Sequence, residues 1–172
     1  MFEAVIALSL CLGHRVGKWR GHPFRLWAIA ACAVALLVAV GLEGSARFAA
    51  MAREHSGCEV LQQDFLKLDL PAARFDGVFA NAALFHVPTA ELPRVLGELH
   101  ATLKPGGVLF SSNPHGANQE GWNRGRYGAY HDLETWRRHL TAAGFAELAH
   151  YYRPTGLPRE QQPWLASVWR RR

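Results

Sequence analysis

From Val38 onward, four short apolar runs each end in a polar residue, with helix-type stretches set between them. "VAVGLEGS" gives way at Glu43, "CEVLQQDF" at Asp64, "DGVFAN" at Asn81 and "VLFSSN" at Asn113. Runs this short and this apolar suit strands buried on both faces. "SARFAAMAREHSG" follows the first, with Ser45 placed to cap a helix and Gly57 to stop it. In "TAELPRVLGELHATLK" the residues Leu92, Val95, Leu96, Leu99 and Leu103 fall on one helical face. "DLETWRRHLTAAGF" is a further helix stopped by Gly144, and "AELAHYYRP" and "WLASVWRR" read as two final strands. The alternation argues for an α/β chain. Its sheet is Rossmann-like and doubly wound, mostly parallel, with an antiparallel last strand. Such sheets bind ligands beyond the carboxyl ends of their strands. Glu43, Asp64, Asn81 and Asn113 all sit where a strand becomes a loop.

The bulk properties set limits on function. With 172 residues, 49% hydrophobic and 19% charged, the chain can bury one ordinary core. The net charge of +5 is carried largely at the ends, by Arg15, Lys18, Arg20, Arg25 and Arg170 to Arg172. Scattered arginines do not make a nucleic-acid footprint, so no nucleic-acid partner is expected. Nine histidines with Cys11, Cys32 and Cys58 form no metal-ligand spacing, so no metal is expected. Three distant cysteines read as reduced thiols of a cytoplasmic protein.

Taken together, "VGLEGS", "QQDFLKLDLPAARFDGVFANAALFHVP", "LHATLKPGGVLFSSNP" and "AAGF" carry a resemblance. The chain from about Val38 resembles class I S-adenosylmethionine-dependent methyltransferases that act on small molecules. The resemblance implies methyl transfer to a small-molecule acceptor, with S-adenosyl-L-methionine as cofactor. It implies Gly41 and Glu43 at the cofactor, the Glu43 carboxylate accepting from the ribose hydroxyls. Asp64 would take the adenine amino group, Phe65 would pack on the ring, and Asn81 would line the methionine end. His86 would face substrate as a base. "PGG" at residues 105–107 reads as a turn.

Between Asn113 and Asp132 lies "NPHGANQEGWNRGRYGAYHD", long, polar and glycine-rich. A loop of that length in a compact domain is commonly a lid or a binding loop. Trp122, Tyr127, Tyr130 and His131 are its candidates for substrate contact.

The N-terminal part departs from the family pattern. A glycine-rich turn after a first strand is expected some way before Glu43, and "GHPFRLWAIAACAVALL" holds none. "LGHRVG", Leu12 to Gly17, after the apolar "AVIALSLC", is the nearest substitute. In G+C-rich codons Phe24 to Ala28 is TTC CGG CTG TGG GCC, whose next frame reads Ser-Gly-Cys-Gly-Pro, a turn of the expected kind. Residues 1–37 are therefore expected to be an atypical segment, out of frame relative to the family, and 38–172 the methyltransferase-like domain. Two other readings of the chain follow. One is a degenerate, non-catalytic relative. The other is a membrane-anchored module crossing at residues 26–42. That uncharged run is about 25 Å long as a helix against a roughly 30 Å hydrocarbon core, so no membrane partner is expected.

Overall fold

The computed structural model describes residues 5–9 and 39–172. Residues 10–38, which include "LGHRVG", Phe24 to Ala28 and most of the 26–42 run, lie outside them, as do Cys11 and Cys32. Seven strands form one sheet: β1 (Val5–Ser9), β2 (Ala39–Glu43), β3 (Glu59–Gln62), β4 (Phe75–Asn81), β5 (Leu103–Pro114), β8 (Phe145–Arg153) and β9 (Trp164–Arg171). Their spatial order is β3-β2-β1-β4-β5-β9-β8. The first five are parallel, and β9 runs antiparallel to both β5 and β8. The chain winds outward from β1 in one direction through β2 and β3, then returns to the other side of β1 with β4. That reversal puts the topological switch point at the carboxyl ends of β1 and β4, where such sheets hold their ligands. The central strand comes from "AVIALSLC". Residues 39–42, the end of the 26–42 run, belong to a sheet strand and not to a helix. Among the described residues no helix is long and apolar enough to cross a membrane.

Local sequence accounts for the helices. In α1 (Ala46–Ser56) the Ser45 hydroxyl accepts from the Phe48 N–H, and Gly57 closes the helix in the left-handed region at φ 67°. In α2 (Leu92–Thr102) Leu92, Val95, Leu96 and Leu99 are fully buried. Each is worth about 2 kcal/mol of transfer from water. In α3 (Leu133–Ala142) the Asp132 carboxylate caps Thr135 N–H at 2.7 Å, while Trp136 and Leu140 enter the core. Gly144 follows at φ 91°.

Two expectations need correction. The "PGG" segment is not a free turn: it lies within β5, where the β4 ladder shifts register between Phe75 and Gly77. Gly107 is required there, because a Cβ would sit 2.9 Å from the Lys104 carbonyl oxygen. The 113–132 stretch is not an irregular loop either. It contains a hairpin, β6 (Gln119–Asn123) with β7 (Arg126–Tyr130), joined by Arg124 and Gly125. Both turn residues have positive φ, 49° and 77°, the backbone of a type I′ turn.

Candidate functional site

Strand register places the site. Leu42 pairs with Leu8, Asn81 with Ser9, and Asn81 with Ser112. Glu43 and Asn81 therefore end the two strands that flank β1, at one level of the sheet. Two ladder spacings separate them, roughly 10 Å. Glu43 is only 8% exposed. Its Oε1 accepts from the Ser45 N–H at 2.9 Å, and its second oxygen has no hydrogen-bond partner among the described residues. Asn81 is followed by Ala82, a non-glycine residue at φ 55°, whose N–H donates to Ser112 O at 2.8 Å. A left-handed alanine costs about 1–2 kcal/mol and is held only by such surroundings.

The other expected cofactor residues are placed differently. Asp64 is exposed and caps a 3-10 turn at Phe65–Lys67, its Oδ1 accepting from Leu66 N–H at 2.9 Å. Phe65 packs half-buried against the core. Gly41 lies inside β2, two residues short of its end, where a Cβ would meet a Val60 methyl at 3.1 Å. It gives sheet packing room and stands apart from the Glu43–Asn81 level.

His86 lies on a 3-10 turn, Leu84–His86, after β4. Its Nδ1 donates to the Tyr127 carbonyl of β7 at 2.6 Å, tying the turn to the hairpin and leaving Nε2 as the acceptor. The hairpin is held further by Glu120, whose Oε2 accepts from both the N–H and the hydroxyl of Thr89 at 2.8 and 2.6 Å. Those bonds lower the Glu120 pKa. Asn118 and Asp132 pair across the hairpin base.

Beneath the hairpin is a pocket lined by Phe85, Ala129, Trp136 and Leu165, with Asn113 and His131 as its polar members. Asn113 is 8% and His131 9% exposed. The Asn113 Oδ1 and both His131 ring nitrogens are buried without a hydrogen-bond partner. The His131 ring stacks on Trp136 at 6.1 Å and 20°. Burial, then the neighbouring His139, lowers its pKa against the pull of Glu120 and Asp132, so it is neutral at pH 7. Tyr130 lies near this pocket, 6.1 Å from the Phe85 ring. Trp122 and Tyr127 instead pair edge to face on the hairpin, Trp122 being 76% exposed.

The structure thus gathers Glu43 and Asn81 at the switch point and His131 with Asn113 under the hairpin. Arg153 is a site residue that the sequence reading passed over. From the end of β8 its Nη2 reaches the Asn81 Oδ1 at 3.3 Å and the Ser112 Oγ at 2.5 Å. The one signal was its place as the last residue of a strand before proline, in "YYRP".

Comparisons with known proteins bear on the fold and on the family. The methyltransferase domain family model matches residues 16–111. A sterol 24-C-methyltransferase of Eremothecium gossypii is 49% identical over 46 residues, 27% of this chain and 12% of that protein. The chain thus spans about an eighth of that relative's length. Among solved structures, an S-adenosylmethionine-dependent methyltransferase from Mesorhizobium loti superposes with a TM-score of 0.71 at 21% identity, over 99% of this chain and 91% of that one. A Burkholderia thailandensis 1,6-didemethyltoxoflavin-N1-methyltransferase, with its substrate and S-adenosylhomocysteine bound, also superposes at 0.71. It is 18% identical, over 99% of this chain and 71% of that one. These likenesses are likenesses of fold. The family match is one of sequence and takes in more than half of the 172 residues, so the chain belongs to the methyltransferase domain family.

Proposed function

We propose that this chain transfers a methyl group from S-adenosyl-L-methionine to a small-molecule acceptor. The observation that carries the reading is the pair Glu43 and Asn81, set at one level on either side of β1 at the switch point. The residues fit the cofactor. The sheltered Glu43 carboxylate keeps one oxygen for hydroxyl donors, and ribose offers two. Asp64 has an oxygen beyond the one capping Leu66, which suits an amino donor, and Phe65 is near it in sequence to cover a ring. The bound cofactor supplies an electrophilic methyl on a sulfonium sulfur. The protein's own task is then to hold the acceptor in line with that methyl and to take its proton.

The pocket under the hairpin suits an acceptor. Its walls are apolar, and Asn113 and neutral His131 give it two unsatisfied polar groups that orient a polar end. Hairpin residues Trp122, Tyr127 and Tyr130 extend this surface outward. His86 is the proposed base: the Tyr127 carbonyl holds its Nδ1–H and so leaves the Nε2 lone pair for a proton. The cytoplasm is the proposed location, where the methyl donor is made.

Calorimetric titration of the detergent-free chain with S-adenosylhomocysteine tests the proposal. Micromolar binding is the expected result. A folded chain that binds none refutes it and favours the degenerate reading.

A further inference from the structure

We propose that Arg153 receives the carboxylate at the amino-acid end of the cofactor, a role that rests on the function proposed above. Arg153 ends β8, and β9 and β5 lie between that strand and β4. Its side chain crosses both to reach Asn81, 72 residues away in sequence, and Ser112. A long cationic side chain extended so far loses rotamer freedom that its contacts must offset. The contacts present are weak ones for a cation. Both acceptors are neutral, both bonds come from Nη2, and Nε is buried with no partner. The guanidinium also stands 5.9 Å from the Trp164 ring.

Three arginines of the chain are matched by acids, while Arg53 and Arg171 spend their guanidinium groups on backbone carbonyls. Arg74 pairs with Glu59, Arg94 with Glu91 and Glu98, and Arg137 with Glu147. Arg153 has no carboxylate partner among the described residues. A half-buried cation without a countercharge carries a desolvation cost that an arriving anion would offset. Its Nη1 makes no hydrogen bond among the described residues and is left to donate to a carboxylate.

The position of Arg153 specifies which anion. Ser112 is one ladder spacing beyond Asn81, so the guanidinium lies roughly 10–15 Å along the strand ends from Glu43. The acid at one end takes hydroxyls and repels a carboxylate. The cation at the other does the reverse. A ligand with a diol at one end and a carboxylate at the other is thereby oriented along the carboxyl edge. A nucleoside bearing an amino-acid tail has that form.

The test compares S-adenosylhomocysteine with 5′-methylthioadenosine, which keeps the base, ribose and sulfur but lacks the amino-acid carboxylate. Both are titrated calorimetrically into the wild-type chain, Arg153→Met and Arg153→Lys, with circular dichroism as the check on folding. Arg153→Met is expected to weaken S-adenosylhomocysteine by about 10- to 100-fold and to leave methylthioadenosine unchanged. Arg153→Lys is expected to recover part of the loss. Equal weakening of both ligands, or no weakening of either, overturns the assignment. S-adenosylhomocysteine binding that ignores Arg153 leaves the proposed function standing. A folded wild-type chain that binds neither ligand refutes the function and the Arg153 role together.

Discussion

Glu43→Gln separates binding from folding at the strand end. The wild-type carboxylate is nearly buried and spends Oε1 on the Ser45 N–H at 2.9 Å, leaving one oxygen for the ligand. Glutamine retains a carbonyl oxygen for Ser45, so the start of α1 keeps its contact. The second oxygen becomes an NH2 group, which cannot accept from a hydroxyl. One charge-assisted bond to ribose is lost, worth about 1.5–3 kcal/mol. The dissociation constant is expected to rise by roughly 10- to 150-fold. Both S-adenosylhomocysteine and methylthioadenosine carry the ribose, so both should weaken alike, in contrast to Arg153→Met. Calorimetry gives the affinities, and urea denaturation is expected to show a stability change under about 1 kcal/mol, because the Ser45 N–H stays paired. Unchanged affinity for both ligands would refute the reasoning.

Four other outcomes are expected. Acid weakens the fold. Burial lowers the pKa of His131, His139, His115 and His100, so the unfolded chain binds protons first as pH falls below the ordinary histidine value. Their contribution is complete above that value and is lost toward the folded ones, and His131→Phe should flatten the loss of stability, read by urea denaturation, as pH falls below the ordinary histidine value. Asp132→Ala should cost about 0.5–2 kcal/mol through its lost helix cap. Because the Thr135 N–H and Asn118 lower the Asp132 pKa, the difference between the two proteins should shrink as pH falls through the carboxylate range. The Trp136 indole N–H is shared by Ser111 and Ser167 at 3.3 and 3.2 Å, so each single alanine leaves it one acceptor. The two hydroxyls also bond each other at 2.9 Å, so either single alanine already breaks that bond. The double alanine, which leaves the indole N–H with no acceptor, should be about 1–3 kcal/mol less stable than either single variant in urea denaturation, and equal stability would refute the shared bond. Resequencing the codons for Phe24 to Ala28 tests the frame of residues 1–37, for which compensating frameshifts before Val38 are expected and an unbroken frame refutes them.

What the sequence determined was local. The caps at Ser45, Gly57 and Asp132 and the face of α2 rest on contacts within one turn, so spacing alone reveals them. Glu43 and Asn81 were legible for a similar reason: an apolar run that stops at a polar residue marks a strand end whatever strand lies beside it. The hairpin was not legible. Its turn is Arg-Gly, not Asn-Gly; β6 is mostly exposed and β7 buries two adjacent residues, Gly128 and Ala129, so neither shows the alternation of a half-buried strand. The part played by Val5–Ser9 was also beyond local reading, since nothing in five residues says that β2 and β4 will pair on either side of them. Only tertiary structure sets Arg153 against Asn81 across two strands. Only packing under the hairpin strips His131 and Asn113 of water without supplying partners. Register and burial are properties of the assembled sheet, and the groups that meet there are separated by tens of residues of chain.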